Sequence, residues 1–139
     1  MKRRHVILIG VICALAAAAA IYCFLPRTFL KGVDPAKIAS IEVKNGSTGK
    51  TLVIDEKEDI AYIVGNIQSI RMKKDKRSLG YMGYGYRLRV IDVKGKTVSE
   101  FIINSDEMIR KDPFFYMCEG RLCYEYITQL FERENSLGE

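Results

Sequence analysis

The chain has no tryptophan and only one histidine, His5, which sits among its first five residues. Every residue after His5 therefore does without imidazole. That excludes Ser–His and Cys–His nucleophilic catalysis from the body of the protein. It also leaves only Cys118 and Cys123 as thiol ligands beyond the N-terminal apolar run, too few donors for a zinc site. P-loop and dinucleotide fingerprints are missing too. Gly80-Tyr81-Met82-Gly83-Tyr84-Gly85 resembles a glycine-rich phosphate loop only superficially, because it leads into a strand pattern and not a helix. No cofactor and no metal is expected, and the chain does not read as an enzyme. Paired carboxylates acting on a glycan are the one catalytic arrangement left open.

Charge is missing from Val6 to Leu25, and acidic residues are missing from the whole of residues 1–31. Twenty uncharged residues in helical form reach about 30 Å, the thickness of a bilayer's hydrocarbon core. Lys2, Arg3 and Arg4 precede the run and Pro26 closes it. Basic residues at that end hold it in the cytoplasm, so the chain after Leu25 is expected outside. A lipoprotein signal needs a small residue before its cysteine, whereas Ile12 precedes Cys13 and Tyr22 precedes Cys23. A cleaved signal, releasing a secreted domain, is the alternative, because Ala16 to Ala20 offer A-x-A sites. The apolar residues continue past them through Leu25, which favours an uncleaved anchor.

The formal net charge is +5. Five of the 22 basic residues precede Gly32, and the remaining 17 equal the 17 acidic residues. The excess is thus a topology signal and not a footprint for nucleic acid.

The expected organisation is a basic N-terminus at 1–5, a transmembrane helix at 6–25, a tether at 26–37, a domain at 38–134 and a frayed tail at 135–139. Ile38 to Lys44 alternates as a strand, with Ala39, Ile41 and Val43 on one side, and Lys50 to Ile54 returns as its hairpin partner. Asp55 opens a helix, with Glu58 placed for a capping box and Ile60, Ile63, Val64, Ile67 and Ile70 as its stripe. Lys94-Gly95 is a two-residue hairpin turn, which pairs Leu88 with Phe101, Tyr86 with Ile103 and Arg89 with Glu100. Glu107 to Lys111 and Phe114 to Cys118 are further strands. Tyr126 to Arg133 closes the domain as a helix with Ile127, Leu130 and Phe131 inward. The fold class is α+β: an antiparallel sheet with two helices on one face, after one transmembrane helix.

Two sets of residues carry site readings. Arg71, Lys73, Lys74, Lys76 and Arg77 form a basic loop followed by Tyr81 and Tyr84, a surface for an anionic polymer, a lipid head group or a peptide. Its bland counterpart is a solvated loop. Cys118 and Cys123, five residues apart, are either a disulfide or two buried thiols.

The pattern "KIASIEV", "IDEKEDIAYIVGNI", "GYGYRLRVIDVKGK" and "FFYMCEGRLCYEYITQLF" resembles small membrane-anchored extracytoplasmic proteins of Gram-positive bacteria that carry a domain of unknown function. The resemblance implies a fold type and a cell-envelope location, and it carries no site residues across. The expected function is a membrane-anchored extracytoplasmic binding or accessory domain; the alternative is a small cell-envelope hydrolase using paired carboxylates. Its expected partners are the membrane, through the N-terminal helix, and a cell-envelope protein or anionic polymer.

Overall fold

A computed structural model describes residues 2–138. The elements in chain order are α1 (Lys2–Phe24), β1 (Ile38–Asn45), β2 (Thr51–Ile54), α2 (Lys57–Ser69), β3 (Met72–Arg77), β4 (Tyr86–Asp92), β5 (Thr97–Ile103), β6 (Met108–Lys111), β7 (Phe114–Cys118) and α3 (Tyr124–Leu137). The 23 residues of α1 bury no side chain against the rest of the chain. It is long and apolar enough to cross a membrane.

The strands form one antiparallel sheet in the order β2-β1-β4-β5-β6-β7-β3. Its inner face is written in rows of facing side chains. Leu52, Val43, Leu88 and Phe101 pair in sequence across four strands. Tyr86, Ile103, Ile109 and Tyr116 do the same across β4, β5, β6 and β7. These rows join Ile60, Ile63, Val64 and Ile67 of α2 and Ile127, Leu130 and Phe131 of α3 in one core. The architecture is therefore α+β, with both helices over one face of an antiparallel sheet.

The expected register of β4 and β5 is the observed one: Tyr86 faces Ile103, Leu88 faces Phe101 and Arg89 faces Glu100. The turn differs. Asp92 N–H donates to Lys96 O and Gly95 N–H to Asp92 O, which makes Val93-Lys94-Gly95 a three-residue loop with Gly95 at φ 79°. A bulge at Val98 then restores the register, so two one-residue shifts cancel. A second bulge, at Ala39, turns that residue outward and leaves Ile41 and Val43 inward.

The helix termini also depart from expectation. α2 begins at Lys57 with Glu56 at its cap and no side-chain capping bond, so Asp55 lies outside the cap position. Glu58 and Asp59 remain in the first turn, where they favour the helix dipole. α3 extends through Leu137, into the tail expected to fray, and Lys50 Nζ donates to Asn135 Oδ1 at 3.2 Å.

Residues 26–37 are not a free tether. Arg27 and Met72 exchange two backbone hydrogen bonds of 2.7 Å each. The Phe29 ring meets Phe101 and Tyr116 edge-on, and Leu30 is buried. Leu30 sits at φ 57°, a conformation that costs a non-glycine residue about 1–2 kcal/mol. Burying its side chain contributes about 1.5–3 kcal/mol. The Gln68 amide adds hydrogen bonds to Leu30 O at 2.8 Å and Val33 O at 2.6 Å. Together these contacts hold the segment down as a third cover on the inner face.

Phe101 touches both the sheet rows and Phe29. Phe101→Ala is expected to lower unfolding stability by about 3–5 kcal/mol, the usual cost of truncating a buried aromatic. Val98→Thr, at the exposed bulge, is expected to stay within about 0.5 kcal/mol. Urea denaturation reads both, and equal small effects would contradict this packing.

Candidate functional site

The stretch expected to be a basic loop is a strand. Met72–Arg77 pairs with β7, placing Lys73 opposite Met117 and Lys74 opposite Tyr116. The sequence hid this because β7 lies some forty residues further along the chain. The edge of β7 makes the segment a strand, and lysine on an edge strand discourages pairing with other chains, which suits so polar a segment to that position.

Each basic side chain has a distinct setting. Arg71 is exposed, and its carbonyl accepts from Glu119 N–H at 2.8 Å. Lys73 pairs with Glu119 at 3.1 Å. Lys74 Nζ lies 4.3 Å from the centre of the Phe114 ring. Lys76 Nζ lies 5.0 Å from the Tyr81 ring and 5.7 Å from Phe115. Arg77 is exposed and faces Phe114 across the strands. Among the described residues, Arg71, Lys74, Lys76 and Arg77 have no carboxylate within 4.0 Å.

The two tyrosines part company. Tyr81 packs edge-on against Phe115 at 5.1 Å, beside Lys76, and Arg110 Nη1 donates to its carbonyl at 3.1 Å. Residues 78–85 thereby cross the outer face of the sheet. Ser78 is buried at the start of this crossing, with its hydroxyl donating to Asp112. The Arg110 guanidinium, and then the Ser78 hydroxyl, hold the Asp112 carboxyl below its usual range. Tyr84 ends up against the β1–β2 turn, under Arg87 at 4.6 Å. Gly46 N–H donates to Gly85 O, and a Cβ at Gly46 would come within 1.9 Å of Tyr84 O. Among the described residues Lys76 is the β3 cation that the structure places at Tyr81; Lys74 lies over Phe114 instead, and Tyr84 is elsewhere. Sequence reasoning missed Arg27, which long-range pairing brings beside Met72, and the exposed Leu79 and Met82 around Tyr81.

Cys118 and Cys123 are separate free thiols. The chain leaves the sheet after Cys118, where Glu119 N–H bonds Arg71 O and Leu122 N–H bonds Asp106 O. Cys123 caps α3 instead of returning on a facing strand. Burial pushes the Cys118 thiol up to about 11 and the Cys123 thiol up to about 12.

A cleft of about 320 Å³ between α2 and α3 is lined by Tyr62, Asn66, Asp106, Arg121 and Tyr126, among others. The tyrosine rings pack at 4.1 Å, and Tyr126 donates to Asp59, which raises the phenol to about 12. Asp106 accepts from Arg121 at 3.1 Å. Among the described residues no group of three or more His, Cys, Asp and Glu side chains could hold a metal ion. No protein-family model, curated protein or solved structure matches the chain.

The folded pKa of Cys123 lies above its ordinary 9.0. The stability linked to its protonated form is complete below pH 9 and is lost as pH rises toward about 12. Under reducing conditions, stability is expected to fall over that window less steeply for Cys123→Ala than for the parent. Urea unfolding at stepped alkaline pH measures it, and parallel curves would contradict the assignment.

Proposed function

We propose that this chain is a single-pass, membrane-anchored extracytoplasmic binding or accessory domain whose basic β3 edge, with Tyr81, engages an anionic component of the cell envelope. The observation that carries this reading is a set of cations that have no carboxylate partner among the described residues, at one strand edge of a domain whose net charge is zero. Side chains already paired with carboxylates have less to offer an incoming anion; Arg71, Lys74, Lys76 and Arg77 are not so engaged. Lys74 and Lys76 lie over aromatic rings, which restrains where their charge sits without neutralising it. Lys2, Arg3 and Arg4 at the start of α1 support the outward orientation, and the length of α1 supports retention in the membrane.

Replacing Lys73, Lys74, Lys76 and Arg77 with threonine keeps strand propensity while removing the charge. The one ion pair lost, Lys73–Glu119, is exposed and of a kind that contributes about 0–1 kcal/mol. The variant is expected to fold, to bind anionic envelope material more weakly and to show a flatter dependence of affinity on salt. Circular dichroism checks the fold, and binding measured across a salt series checks the rest. Undiminished low-salt affinity in a folded variant would contradict the proposal.

A further inference from the structure

The end of α1 and the start of β3 are tied together. α1 ends at Phe24, and Arg27, three residues later, is bonded to Met72. Three residues reach at most about 11 Å, so Arg27 lies within that distance of the helix end, and Met72 is its bonded neighbour about 5.5 Å away. The Arg27–Met72 bridge is antiparallel. β3 therefore runs back toward the side from which α1 arrives. From Met72 to Arg77 the strand covers about 17 Å, enough to return Lys74, Lys76 and Arg77 to the level of the helix end. Residues 78–85 begin there, and their first turn exposes Leu79 at 66%, Tyr81 at 51% and Met82 at 97%. Tyr22, in the last turn of α1, has the Arg27 guanidinium 5.9 Å from its ring, an aromatic and a cation of the kinds that anchor helices at bilayer interfaces.

We infer that Lys74, Lys76 and Arg77, together with Leu79, Tyr81 and Met82, rest in the headgroup layer of the bilayer that α1 crosses, with the cations on the phosphates of anionic lipids. The inference rests on the anchored reading above and names the anionic component. A wall polymer accounts for the cations but leaves Leu79 and Met82 in water. A lipid interface takes both, because it presents phosphate above and hydrocarbon below. The short connection from Phe24 also keeps this surface beside the bilayer at high effective concentration.

The chain contains no tryptophan, so Met82→Trp supplies a single reporter. Val53→Trp, at an exposed site on β2 at the opposite edge of the sheet, supplies the control. Both are made in the full chain. They are reconstituted in phosphatidylcholine vesicles with and without phosphatidylglycerol, using brominated acyl chains as quencher. In phosphatidylglycerol vesicles the Met82→Trp emission is expected to shift to the blue and lose intensity to the quencher. Salt should reverse part of this shift, and Val53→Trp should remain water-like. Adding Lys74→Thr, Lys76→Thr and Arg77→Thr to Met82→Trp is expected to return the emission toward the red.

A water-like Met82→Trp signal in chains that still float with vesicles after carbonate washing overturns the inference and leaves the anchored reading standing. Chains that wash off the vesicles overturn the anchored reading itself. A shift in phosphatidylcholine vesicles that appears only when soluble polyglycerol phosphate is added overturns the lipid assignment in favour of a polymer.

Discussion

Two backbone hydrogen bonds between Arg27 and Met72 decide how the domain hangs from its helix. Without them, the connection from Phe24 would be looser and the domain less fixed in orientation relative to α1. With them, the outer edge of β3 is occupied at its first residue and the chain is turned inward. Phe29 and Leu30 then reach the core, and Gln68 holds the segment through two carbonyls. The basic strand, the Tyr81 crossing and the exposed Leu79 and Met82 all inherit their position from that attachment.

The two faces of the sheet answer to different demands. The inner face is a continuous apolar surface covered by α2, α3 and residues 27–33. The outer face is ionic over β1, β4 and β5, where Arg89 Nε donates to Glu42 at 3.0 Å and faces Glu100. That hydrogen bond, with the charge of Glu42, raises the Arg89 pKa. Toward β6 and β7 the outer face becomes apolar at Ile102 and Phe115, both buried, with Tyr81 packed on Phe115. The long crossing from β3 to β4 has a structural role there as well as an exposed rim.

Local signals carried much of the fold. Alternation in 86–103 was strong enough to set the β4–β5 register through an incorrectly assigned turn, because a slip of one residue would have put Leu88 and Phe101 on opposite faces of the sheet. The stripes of α2 and α3 were equally plain. What escaped the sequence depended on distant partners. Met72–Arg77 has no apolar alternation and becomes a strand because β7 offers an edge. Residues 26–37 look like punctuation until Met72 and Gln68 are in place. The basic and aromatic members of the candidate surface were legible as residue types. Which tyrosine joins them was not, because Tyr81 and Tyr84 are three residues apart and the chain between them crosses the sheet.

Amide hydrogen exchange at Arg27 and Met72, in the full chain held in a membrane mimic, tests the attachment most directly. If the bridge fastens the domain to the end of α1, both amides will be protected to a degree approaching Leu88 and Val90 in the centre of the sheet. Exchange of both at the rate of the exposed Gly80 would contradict a fixed attachment, and with it the placing of β3 at the membrane.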